Sequence, residues 1–205
     1  MADVTPQPEV THAVFSPHWP MTQSLGHHPH MTNETNAKVM SARRYVLTRE
    51  EIEAMEGTNK VHFLNPNGQR INKSLGDATG LKGFGIHLIE IPPGADSTEY
   101  HRHHQEDECV YVLQGRAQAT LDEEVIELGV GDFVGLPAGG PAHVFHNPGP
   151  DVLRCLVVGQ RLAHDVGDYP RLGKRLYRHD GMWNLVDMTH VVDAKTAYSS
   201  KVGSK

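Results

Sequence analysis

The stretch EYHRHHQEDECVYVLQG, Glu99 to Gly115, sets His101, His103 and His104 beside Glu106, Asp107 and Glu108 and then runs into an apolar segment. Imidazole and carboxylate at this density can hold a divalent metal ion, or can simply form a polar loop. His101 and His103 are two residues apart, so on an extended chain they point to one face. Glu108 stands five positions beyond His103, an odd spacing that alone puts it on the other face. A turn or bulge within the intervening His-Gln-Glu-Asp is therefore required if all three are to converge. Far downstream, GDFVGLPAGGPAHVFHN carries a turn at Pro137 and Gly139 and brings His143 to the start of another strand.

These residues need a scaffold, and the pattern around them points to short strands. KGFGIHLIEI, CVYVLQG, RAQATL, EVIEL, DFVGLP, AHVFHN and VLRCLVVG are separated by PPGAD, DEE, GVGD, PAGGP and NPGPD, all clusters of turn-forming residues. Such even spacing favours an antiparallel sandwich or barrel. Before the strands, LTREEIEAMEG predicts a short helix: Thr48 and Glu51 form a capping box, Ile52 and Met55 share a face, and Gly57 can end it. Residues 1–40 hold five prolines and five histidines without hydrophobic period and read as a flexible arm. Residues 41–160 read as the barrel domain. Residues 161–205 read as a C-terminal extension of loops and short elements. Its Tyr169, Leu172, Leu176, Tyr177, Met182, Trp183 and Leu185 need cover from the barrel or from a second subunit.

The bulk numbers narrow the function classes. A chain of 205 residues fits one domain with extensions, and a formal net charge of -6 without a Lys/Arg stripe argues against a nucleic-acid surface. No window approaches the roughly 18 apolar residues of a membrane span, and the N-terminus lacks a signal-peptide pattern. Two cysteines, Cys109 and Cys155, make no disulfide framework, so a cytoplasmic protein is expected.

Together the two polar stretches resemble the paired motifs of the cupin superfamily. The first motif reads Gly94, His101, His103, Glu108 and Gly115, with four residues before the glutamate and six after it. The second reads Gly131, Pro137, Gly139, His143 and Asn147. The spacer from Gly94 to His101 is one residue longer than usual, and three residues rather than two separate Gly139 from His143; both extra residues fall in turns. The resemblance covers roughly residues 80–160. It implies an all-β double-stranded β-helix, a jelly-roll barrel, with a short N-terminal helix and loop-rich extensions. It also implies one divalent metal per subunit, held by His101, His103, Glu108 and His143.

Three neutral imidazoles and one carboxylate leave a divalent ion with a net charge of about +1 and vacant positions, an open site of the catalytic kind. Nitrogen and oxygen ligands without thiolate suit Fe, Mn, Ni, Co, Zn or Cu. Cys109 should face away from Glu108 and is not counted as a ligand. His104 is expected to be solvated or to support a ligand, and Glu106 and Asp107 to form the solvated turn. Glu106 in place of Glu108 is the main rival, although it breaks the six-residue run to Gly115. His146 is expected to face away from His143, and Tyr111 to pack outside the pocket. His87 either faces the pocket or is an ordinary satisfied histidine.

The expectation is a metal-dependent enzyme acting on a small oxygenated molecule, of dioxygenase, lyase or isomerase type, with a homodimer expected. A non-catalytic small-ligand binding or sensing role is the alternative. An ordered acid or base beside the metal position favours the enzyme, and a sealed apolar interior favours binding.

Overall fold

The structure is a computed structural model that describes residues 42–195. The arm expected over residues 1–40 lies outside the described residues. Helix α1 (Arg49–Ala54) begins at the expected capping box: the Thr48 hydroxyl accepts from Glu51 N–H at 3.2 Å and the Glu51 carboxylate accepts from Thr48 N–H at 2.7 Å. Reciprocal bonding of this kind satisfies amide donors that a helix start leaves open.

Thirteen strands follow among the described residues: β1 (Thr58–His62), β2 (Asn65–Ser74), β3 (Phe84–Ile91), β4 (Arg102–His103), β5 (Glu108–Gln114), β6 (Ala117–Leu121), β7 (Glu124–Leu128), β8 (Phe133–Leu136), β9 (His143–His146), β10 (Leu153–Gln160), β11 (His164–Tyr169), β12 (Lys174–His179) and β13 (Met182–Asp187). A short α-helix, α2 (Leu75–Thr79), and a 3-10 turn at Pro170–Leu172 interrupt them. An antiparallel six-stranded sheet runs β1-β2-β3-β10-β5-β8. Against it lie a three-stranded sheet, β7-β6-β9, and a four-stranded sheet, β13-β12-β11-β4. An isolated antiparallel bridge between His101 and His143 joins the edges of these two smaller sheets. This is the jelly-roll architecture that the cupin resemblance implied, and it agrees with the antiparallel barrel expected from the turn spacing.

Alternation along the strands builds the interior. In β5, Val110 and Val112 are buried while Tyr111 and Leu113 face out, as a half-buried strand requires. The register then stacks interior residues in rows. Ile91 lies opposite Leu153, and Ile89 and Val112 flank Cys155. His87 and Val110 flank Val157, and Gly85 and Glu108 flank Gly159. The barrel is therefore apolar at one end and turns polar toward the other. Gly115 closes β5 for a steric reason: its φ is +82°, and a Cβ there would stand 2.9 Å from the Val152 carbonyl oxygen.

Two regions depart from the expectation. β1 and β2, TNKVH and NPNGQRINKS, lack apolar alternation: β1 is the exposed edge of the large sheet, and the residues that β2 buries are Gly68, Asn72 and Lys73. The short elements expected among loops in the C-terminal segment are three six-residue strands, and the first of them, β11, pairs with β4. Its inward residues are Asp165, Gly167 and Tyr169, which line a polar pocket rather than the apolar core, so the usual hydrophobic signal is missing. Tyr169 and Leu176 are buried there, whereas Leu172, Met182, Trp183 and Leu185 stay exposed on this chain. No helix among the described residues is long and apolar enough to cross a membrane.

Candidate metal centre

His101 and His143 exchange both backbone hydrogen bonds, at 3.0 and 2.7 Å, so their side chains leave the same point of the seam between two sheets. Their ring centroids are 4.5 Å apart. Glu108 arrives from the opposite layer, as the first residue of β5 beside Leu136 and Gly159. Between His103 and Glu108 the chain crosses from the four-stranded to the six-stranded sheet. That crossing is the turn the odd spacing demanded.

One ligand atom each from His101, Glu108 and His143 lie within 4.8 Å of one another. His143 Nε2 is 3.8 Å from a Glu108 oxygen. His101 Nδ1 faces the Glu99 carbonyl at 2.8 Å and His143 Nδ1 faces the Pro141 carbonyl at 3.2 Å. A carbonyl can only accept, so each ring carries its proton on Nδ1 and leaves Nε2 bare. Nε2 of His143 is buried and has no hydrogen-bond partner. A bare nitrogen and a carboxylate oxygen facing each other at this range are two acceptors, an arrangement that a cation between them satisfies.

Protonation agrees with that donor set. Burial, with the neighbouring His143 and His103, holds His101 well below the ordinary imidazole range. Burial likewise lowers His143. Both rings are then neutral near pH 7, as metal ligation requires.

His103 stands beside this trio rather than within it. Its ring centroid is 5.1 Å from that of His101, and its Nε2 is 3.9 Å from Glu108. Its Nδ1 makes a 2.6 Å hydrogen bond to Asp165, which also accepts from Gln105 N–H. Burial opposes charge on His103, but the Asp165 bond and the nearby Glu108 and Glu106 carboxylates outweigh it and raise its pKa. A ligand imidazole braced by a carboxylate through its other nitrogen is a common arrangement around metals.

Glu106 corrects an expectation. It is not a solvated turn residue but is 5% exposed. It accepts from Leu162 N–H at 2.6 Å and from the Arg178 guanidinium, and lies 3.9 Å from His103 Nδ1. With those partners it buttresses the wall of the site, while Glu108 takes the inward position. Asp107 is exposed and caps Ala138 N–H. His104 turns away to Asp168 at 2.8 Å, and His146 turns away to Asp96 at 2.8 Å. Tyr111 is exposed, and Cys109 is absent from the cavity walls. His87 does face the interior, where its Nδ1 meets the Asn72 amide at 3.1 Å.

The trio separates two spaces. Behind it lies a cavity of about 150 Å³, walled partly by Ile89, Ile91, Val110 and Phe145. In front lies a pocket of about 540 Å³ that His101, His103 and Glu108 share with His62, Arg70, Asp165, Tyr169, Arg178 and Trp183. Sequence reasoning missed His62, Arg70 and Asp165. All sit on strands with polar inward faces, and the only trace was the alternation Asp165, Gly167, Tyr169. Leu64 N–H donates to His62 Nδ1 at 3.2 Å, which puts the proton of the neutral ring on Nε2. Burial lowers the His62 pKa to about 4.

The Cupin domain family model matches residues 87–159. A crystal structure from Acidithiobacillus ferrooxidans, provisionally named a sugar phosphate isomerase, is 54% identical, with TM-score 0.73 over 74% of this chain and 97% of that chain. A cupin-superfamily sugar phosphate isomerase from Silicibacter pomeroyi is 28% identical, with TM-score 0.62 over 70% of this chain and 95% of that one. An uncharacterised protein of Methanocaldococcus jannaschii is 37% identical over 76 residues, 37% of this chain and 60% of its own length. An uncharacterised protein of Streptomyces coelicolor is 41% identical over 64 residues, 31% of this chain and 59% of its own length. The chain thus spans about three fifths of the curated relatives it matches.

Proposed function

We propose that this chain, which belongs to the cupin superfamily, is a metal-dependent isomerase of small phosphorylated sugars. The observation that carries the metal is the buried, unpartnered Nε2 of His143, aimed with His101 at the Glu108 carboxylate. His101, Glu108 and His143 would hold a divalent ion, with His103 as the fourth ligand. When bound, the ion supplies Lewis-acid polarisation of a substrate carbonyl or hydroxyl oxygen. The substrate class rests on the 54% identity to the Acidithiobacillus protein over nearly its whole length.

Aldose–ketose isomerisation moves one proton between adjacent carbons and one between their oxygens, and consumes no co-reactant. The chain supplies the setting for such a shift. Asp165 holds the His103 ring by its 2.6 Å bond. The neutral His62 offers an Nε2–H to a substrate oxygen in the pocket, a donor that does not first have to lose charge. Tyr169, whose pKa burial pushes up to about 12, keeps its hydroxyl proton and remains a neutral wall.

The test is metal analysis of the purified protein, followed by incubation of metal-loaded protein with a panel of aldose and ketose phosphates in D2O. Interconversion with deuterium entering the carbon next to the carbonyl is expected. Absence of metal from the protein, or the lack of both interconversion and exchange across the panel, would overturn the proposal. The mostly apolar cavity behind the trio suits the second reading, a non-catalytic binding module. That reading expects metal and sugar phosphate to bind without deuterium exchange.

A further inference from the structure

The hairpin β1–β2 closes one side of the outer pocket and has an unusual charge arrangement. Lys60 and Arg70 stand directly opposite each other in its register, and both line the pocket with His62. Like charges in direct cross-strand opposition destabilise a sheet. Among the described residues neither cation forms an ion pair with a carboxylate. The Arg70 guanidinium, half-buried, donates to the Ser97 carbonyl. Of the pocket's own carboxylates, Asp165 is bonded to His103 and Gln105 N–H, and Glu108 acts on Arg70 through space without pairing with it. Asp77, the nearest acid beyond the pocket in its effect on Lys60, is taken by Arg161 and Ser74. Lys60 and Arg70 thus face one pocket with only the through-space charges of Asp77 and Glu108 to offset them, and a bound anion would relieve their mutual repulsion.

We propose that Lys60 and Arg70 form a phosphate subsite, which holds the anionic end of a ligand on the hairpin while its oxygenated carbons face His101 and Glu108. The Arg70 fork suits two oxygens of a phosphoryl group, and Lys60 adds a point charge from the opposite strand. Arg70 also lines the inner cavity with His101, Glu108 and His143, so the subsite and the metal position share walls. The choice of phosphate over another anion rests on the isomerase reading above; the charge arrangement does not.

The experiment is calorimetric titration of the metal-free full chain with inorganic phosphate, glycerol 3-phosphate and glycerol. Glycerol 3-phosphate has no carbonyl and cannot be isomerised, so binding is read apart from catalysis. Wild type should bind both phosphate probes and not glycerol. Lys60→Gln, a change at an exposed position, should weaken both by about tenfold, and Arg70→Gln by about ten- to a hundredfold, as expected for charge-assisted hydrogen bonds. His143→Ala should leave phosphate affinity unchanged. Binding of inorganic phosphate alone would mean a site for the free ion rather than for an ester. Equal affinities in wild type and Lys60→Gln, or phosphate binding that vanishes in His143→Ala but survives in Lys60→Gln, would overturn the subsite. Failure of the deuterium-exchange assay leaves these titrations standing, and their failure leaves the metal analysis standing.

Discussion

His101 and His143 are bonded backbone to backbone in both directions, and their imidazoles stand 4.5 Å apart across the seam between two sheets. The pairing that closes the barrel on this side is thus the one that assembles two of the candidate ligands. Metal binding and barrel stability should be coupled in consequence.

A saturating divalent metal should raise the melting temperature of the wild type. At a hundredfold excess over Kd, linkage gives about 2.7 kcal/mol, or roughly 5–10 °C for a chain of this size. In His143→Ala the same metal should give no shift, measured by scanning calorimetry before and after chelation.

Asp165→Asn should lower metal affinity by about 10- to 100-fold, because the charge that braces His103 through Nδ1 is removed. Asp168→Asn is the matched control. That carboxylate bonds His104 and Arg175 rather than His103 and should leave metal affinity alone. Competition with a chromogenic chelator reads both, and equal losses would refute the brace.

Asn147→Ala should destabilise the fold without touching the metal. Its buried amide donates to the Ile91 and Asp151 carbonyls at 2.8 and 2.9 Å and accepts from Gly149 N–H at 2.8 Å. Removing it strands three backbone groups, at a cost of about 2–4 kcal/mol. Urea unfolding should show this loss at an unchanged slope.

Stability should fall in alkali through Cys155. Burial pushes this thiol from 9.0 to about 12. A raised folded pKa means that the unfolded chain releases its proton first. Its contribution is therefore complete below pH 9 and is lost as pH rises toward 12, at about 1.4 kcal/mol per pH unit. Tyr169, raised from 10.0 to about 12, adds to the loss only above pH 10. Cys155→Ala should therefore be less stable overall yet show a flatter decline between pH 9 and 10 in urea titrations.

Much of the barrel was legible because its strands obey local rules. Val110, Val112, Leu153 and Cys155 alternate with outward residues, and turn-forming clusters separate the runs. β1, β2 and β11 were not legible, since their inward faces carry Lys60, His62, Arg70 and Asp165 toward a polar pocket. A sheet face that lines such a pocket has no apolar period to read.

The sequence by itself determined which residue types could meet. Strand period puts His101 and His103 on one face and requires a turn before Glu108, while the resemblance to the cupin motifs pointed to Glu108 and to the second motif ending at Asn147. Tertiary structure alone decided the pairings among distant charges. Asp165 braces His103 from 62 residues away, Glu106 is buried against Arg178 from 72 away, and His103 is left beside the trio rather than in it. Local sequence preferences reach only a few residues along a chain. Contacts across such separations are set by which sheets join and in what register, and the strand order that fixes both exists only once the barrel has closed.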